Sequence, residues 1–315
     1  MLCSRHQIIS PGCYQLRWSF PAIGELSPVE ARCLGHTERR RRALLRVERE
    51  LKKGDHRSAL SMVKQLQGKP GGLRGFGAAE QVPKRLLTLD DLKLDGRDLS
   101  YLEPLVDSVM YSIRRCIWFA SMEEEASANA TKNIVLEEDL PEEDYSVFAL
   151  HEAGHFLAGY LLGVLPKEYK LLKKRALGRD QFAGGKVNFI GFDFLREVPN
   201  ARVLKIHNTD KGYVPSKKFN NFSCVILGGI VAEHLSFGYS EGLHSDVDKL
   251  DRVIRWLGLT EDEAELHIRW AATNTAFILH RHREAGLKLA EAMASGKPIS
   301  ACIDTIEDAI SRNKI

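Results

Sequence analysis

Apolar positions along this chain fall into helical patterns, with one short stretch that alternates like strand. Leu102, Leu105, Val106, Val109, Ile113 and Ile117 recur at three- and four-residue spacing, which predicts an amphipathic helix over 101–121. Ser100 and Glu103 in front of it have the form of a capping box. Two earlier helical patterns, 37–52 and 55–67, meet at Gly54-Asp55 and end in a Gly/Pro-rich loop at 68–77. A further helix is predicted over 145–165, stopped by Pro166, and more over 217–238, 245–257, 261–294 and 300–312. The 261–294 stretch is long enough for two helices meeting near Gly286. Between them, "GGKVNFIGFDF" and "ARVLKIHN" are rich in β-branched and aromatic residues and predict two or three short strands within 184–215. The fold class expected is mainly α with a small β element (α+β).

Charge divides the chain further. Residues 36–53 carry eight Lys/Arg against three Glu, a stripe that reads first as a solvated helix face. Residues 122–144 hold nine acids and one Lys, which suits a self-repelling linker. The expected organisation is a leader at 1–35, a helical region at 36–121, an acidic linker at 122–144 and a second domain at 145–315. Net charge is only +3, too little to point to a nucleic-acid partner. The longest run without Asp, Glu, Lys or Arg is 14 residues, too short for a membrane-spanning helix. Six cysteines without a CxxC pair argue against a disulfide framework or a cysteine metal site. Residues 1–24 contain Arg but no acid and no long apolar core, a composition expected of an organellar transit peptide.

The segment "LHEAGHFLAGY", 150–160, sets three ionisable groups into an apolar run. His151 and His155 are four residues apart, so on a helix they share a face and can share one zinc ion. Glu152 is rotated by about 100° and is better placed to take a proton from a water at the metal, whose pKa zinc lowers to about 7. HExxH also arises by chance on solvated helices. Here Phe148, Leu150, Phe156, Leu157, Tyr160, Leu161 and Leu162 leave little room for a solvated face. A hydrolytic zinc needs a third protein ligand and an open position. The metzincin spacing would put that ligand at position 161, which is Leu161. Glu233, His234, His244 and Asp246 are the candidates, and their chemistry alone does not choose among them.

HEAGH followed by Gly228-Gly229, Ala232-Glu233, Phe237-Gly238, Gly242 and Asp246 resembles the peptidase domain of the FtsH family across about 145–265. That family takes its third zinc ligand from an aspartate four residues after a glycine, and Gly242 to Asp246 has this spacing. The resemblance implies His151, His155 and Asp246 as zinc ligands, Glu152 as catalytic base, and Glu233 in support behind them. It departs from the family in a longer connection between HEAGH and Gly228-Gly229, and in having no G-x-x-x-x-G-K-[ST] phosphate loop and no membrane anchors. The expected function is therefore a zinc metallo-endopeptidase without its own motor, acting on unfolded or flexible polypeptide. A separate ATPase and further copies of the chain are the other candidate partners. With the leader, the resemblance suggests a plant-type protein of the chloroplast stroma, with the mitochondrion as the alternative. A non-catalytic scaffold is the competing class; the presence of all four motif residues favours the enzyme. A membrane-embedded site-2-type protease is disfavoured by the lack of a long apolar span.

Overall fold

The computed structural model describes residues 28–82, 100–127, 142–171, 185–200, 204, 211–240 and 244–312. It is mostly helical with one two-stranded sheet. In chain order the elements are α1 (Pro28–Lys53), α2 (His56–Leu66), α3 (Glu103–Ser127), α4 (Glu142–Leu161), β1 (Pro166–Leu171) and β2 (Gly185–Phe189). They continue with α5 (Ser216–Ile226), α6 (Gly228–Phe237), α7 (His244–Leu257), α8 (Glu261–Arg281), α9 (Arg283–Ala294) and α10 (Ile299–Arg312). Among the described residues no helix is long and apolar enough to cross a membrane.

The predicted helices are present with shifted ends. α1 begins at Pro28, inside the segment expected to be leader; residues 1–27 lie outside the described residues. Ser100 opens a 3-10 turn, Ser100–Leu102, rather than leading directly into α3. Residues 122–127 and 142–144 of the expected linker are helical, and 128–141 lie outside the described residues. The 217–238 pattern divides at Leu227 into α5 and α6. The 261–294 pattern divides at His282, not at Gly286. β2 lies in the predicted strand region, but its antiparallel partner is β1, directly after α4, where no strand was expected. Asp193–Arg196 forms a 3-10 turn instead of extending that strand. The "ARVLKIHN" strand lies outside the described residues except for Leu204.

α4 occupies the centre. Every residue from Ala149 to Leu162 is buried, so this stretch of the helix has no water-facing side. It packs on α5, α6, α8 and α9 and carries the β1–β2 hairpin. Its contact with α6 is very close: a Cβ on Gly154 would lie 2.2 Å from the Gly228 carbonyl oxygen. Only glycine allows the two backbones to meet there. At the next turn, Gly159 leaves the space filled by Phe189 of β2, whose ring a Cβ would approach to 2.3 Å.

The Gly-rich segment after α2 serves as a strap on α4. Gly77 N–H donates to the Tyr160 carbonyl at 3.1 Å and Ala79 N–H to the Leu161 carbonyl at 2.9 Å, satisfying acceptors that a helix end leaves free. Glu307 of α10 is fully buried and fastens the same corner. Its carboxylate accepts from Tyr160 Oη at 2.6 Å and from the N–H groups of Arg74 and Gly75 at 2.8 Å each. The basic stripe of α1 is not wholly solvated either. Arg40 is buried and donates to Asp304 at 2.7 Å, while Arg41 donates to the same carboxylate at 2.6 Å.

Glu307→Ala should destabilise the fold by about 3 kcal/mol or more, since two buried donors and a part-buried one each lose their acceptor. Urea unfolding would measure this; a loss under about 1 kcal/mol would mean that the corner does not depend on Glu307. Glu48 of α1 offers a pH test. Burial works to raise its pKa, but bonds from the Ser300 hydroxyl, Ser300 N–H (3.0 Å) and Lys52 (3.1 Å) prevail and lower it from its ordinary 4.5. A carboxylate with a depressed folded pKa adds stability above its unfolded pKa and loses it as pH falls through the folded one. Glu48→Gln should therefore be less stable than wild type at pH 7, with the gap narrowing below pH 4.5. A gap that stays constant on acidification counts against this.

Candidate metal centre

α4 presents His151 and His155 one turn apart, and their outer ring atoms are fixed from behind. His155 Nδ1 lies 2.7 Å from the Val225 carbonyl of α5, which can only accept, so Nδ1 carries the proton. His151 Nδ1 lies 2.6 Å from Glu233 Oε1 of α6 and donates to that carboxylate in the same way. Both rings therefore turn their Nε2 lone pairs inward. The two Nε2 atoms are 3.0 Å apart. Asp246 of α7 places Oδ2 at 3.0 Å from one and 2.9 Å from the other. Its second oxygen, Oδ1, accepts from Lys249 Nζ at 2.9 Å.

Three electron-rich atoms at such distances repel one another unless positive charge lies among them. The electrostatics have that sign. Burial works against a charged His151, yet its bonds to Asp246 and Glu233 and their negative charge raise its pKa to about 10. Burial also works against ionised Asp246, but the two histidines and Lys249 hold it well below the carboxylate range. Among the described residues, His151, His155 and Asp246 are the one group of such side chains able to hold a metal ion, with donor atoms all within 4.8 Å of one another.

Glu152 is buried beside this group, and burial raises its pKa. Its Oε2 is buried with no hydrogen-bond partner, an arrangement that is costly unless a water or ligand completes it. The first residue of β2 lies over it: a Cβ on Gly185 would come within 2.2 Å of Glu152 Cγ. Glu152, His151, His155 and Asp246 all line one cleft of about 550 Å³, together with all five residues of β2.

The structure thus brings together four of the residues singled out in the sequence, with Glu233 beneath His151. His234, also a candidate ligand, is turned away and bonds Ser108 and Ser112 of α3 at 3.3 and 3.2 Å. His244 is the first residue of α7, and its side chain is outside the described residues. Sequence reasoning missed Lys249, although it stands three residues after Asp246 on one helix face. It also missed Val225, which acts through its backbone and leaves no side-chain signal. Gly229 was noted only within a motif; its role is space, since a Cβ there would lie 2.3 Å from His151 Nε2. No protein-family model, curated protein or solved structure matches this chain.

Glu233→Gln should weaken metal binding about 10- to 100-fold, because it removes the carboxylate that orients His151. Gly229→Ala should do at least as much by displacing the ring. Competition with a chromophoric chelator would measure both; unchanged affinity in both variants would mean that the ring's position is irrelevant to the metal.

Proposed function

We propose that the chain is a zinc metallo-endopeptidase, similar in its site to the FtsH peptidase domain, that cleaves unfolded or flexible polypeptide. The observation that carries this reading is the inward convergence of His151, His155 and Asp246 next to a buried, unpartnered Glu152 oxygen. Two imidazoles and one carboxylate, without a thiolate, make a three-ligand set suited to zinc with one position left for chemistry. Bound zinc supplies a Lewis acid that polarises a peptide carbonyl and makes water a nucleophile at neutral pH.

The protein's own groups account for the remainder. Glu152 accepts the proton that the attacking water loses and delivers it to the amine released when the C–N bond breaks. Its burial raises its proton affinity towards the range where it can do both. Glu233 and the Val225 carbonyl keep both histidines in the tautomer that ligates, and Lys249 occupies the Asp246 oxygen that faces away from them. β2 has one neighbour, β1, so its other edge is free of strand partners among the described residues. An extended polypeptide can pair with that edge, which gives affinity through backbone bonds and little dependence on sequence.

Glu152→Gln should lower the rate of hydrolysis of a labelled unfolded protein by about 10²-fold or more while the protein keeps its metal. Chelation should abolish the wild-type rate, and zinc should restore it. A zinc-loaded wild type that cleaves nothing, with or without ATP-dependent unfolding activity added, would sink the peptidase reading in favour of a scaffold.

A further inference from the structure

The cleft beside the metal centre is lined by two kinds of chemistry. Its floor is aromatic and aliphatic. Phe192 packs edge-on against Phe222 with ring centroids 5.6 Å apart, and Phe189 lies 5.6 Å from Phe192. Leu195, Val198 and Val225 line the same floor. The rim is predominantly cationic: Lys167, Lys186, Arg196, Lys249 and Arg252 line the cleft, with Glu168 and Asp193 as the carboxylates among them. Lys249 and Arg252 have carboxylates of their own in Asp246 and Asp248. Lys167, Lys186 and Arg196 pair with no described carboxylate. Glu168, which lies between the strands' charges, accepts instead from the Asn188 amide at 2.7 Å.

A second observation points the same way. Lys186 stands directly opposite Lys170 in the hairpin, and both are exposed. Like charges directly opposite each other weaken a sheet. Of the two only Lys186 lines the cleft, and an anion held there would relieve the repulsion. With a divalent ion at the centre, the potential over the cleft is more positive still, and such a field concentrates ligands of opposite sign.

We infer that this cleft selects polypeptide segments in which acidic side chains flank a large apolar residue. The inference rests on the peptidase reading for the class of occupant. In an extended segment lying along β2, side chains on one face recur about every 6.7 Å. A large apolar side chain can then enter the Phe192–Phe222 floor while carboxylates before and after it reach Lys167, Lys186 and Arg196. The floor and the rim together distinguish such a segment from an apolar one and from a purely acidic one.

The test uses the full chain, zinc-loaded and carrying Glu152→Gln, so that bound peptide is not consumed. Fluorescent decapeptides with a central Phe flanked by Glu, by Gln or by Lys are titrated by anisotropy, with a Glu-flanked Gly peptide as the apolar control. The Glu–Phe peptide should bind about tenfold tighter than its Gln counterpart at low salt, with the gap closing as salt screens the rim. Replacing Phe by Gly should lose about tenfold as well. The combined variant Lys167→Gln, Lys186→Gln, Arg196→Gln should erase the preference for Glu, whereas Lys167→Arg with Lys186→Arg should keep it. Equal affinity for the Glu and Gln peptides overturns the inference. Equal binding by an RNA oligonucleotide of matched charge does too, since it would mark a general polyanion surface. The two readings fail separately: selective binding without wild-type hydrolysis removes the peptidase, and hydrolysis without selectivity removes this inference.

Discussion

Mutual repulsion among three electron-rich atoms is the constraint around which this structure is arranged. His151 Nε2, His155 Nε2 and Asp246 Oδ2 sit about 3 Å apart on buried helices. In water such a cluster would disperse by rotating a side chain. Here each member is fixed from outside: one ring by Glu233, one by a backbone carbonyl, and the aspartate by Lys249. Restraint of that kind keeps the three donor atoms aimed at one point, where a proton on His151 or a bound cation can offset their charge.

The restraint depends on how close the helices can come. Glu233 reaches His151 only because α6 crosses α4 at Gly154 and Gly228, where neither backbone carries a side chain. The same crossing puts Gly229 against the imidazole it must not displace. β2 adds its own small residue, Gly185, over Glu152. Four glycines thus set the dimensions of the centre, and the polar residues act within the space they leave.

Much of this was legible in the chain. Helical spacing of the histidines and the apolar flanks marked α4 as a buried helix with metal-ligating side chains, and the choice of Asp246 came from the resemblance in motif order. The helix break at Leu227 was not legible, and the one expected near Gly286 falls at His282, because periodicity continues across both and only tertiary packing decides where the axis turns. β1 was missed because "PKEYKL" alternates weakly between polar and apolar residues, and Pro166 was read as a stop rather than as a first strand residue. Arg40 looked like one charge in a solvated stripe. Its partners, Asp304 and Asp308, lie more than 260 residues away, beyond the reach of any local pattern.

That distance has a consequence for how the molecule comes into being. Asp304 and Glu307 are made after Arg40, Arg41, Arg74, Gly75 and Tyr160, the partners their carboxylates hold across the fold. A growing chain therefore contains all the residues of α4, with both histidines, well before the carboxylate that fastens Tyr160 to the Arg74–Gly75 turn has been added. Until α10 arrives, the C-terminal end of the histidine helix lacks that tether, and long-range contacts of this sort are the slow ones to form. The order of synthesis itself delays completion of the core around the centre until α10 has been made.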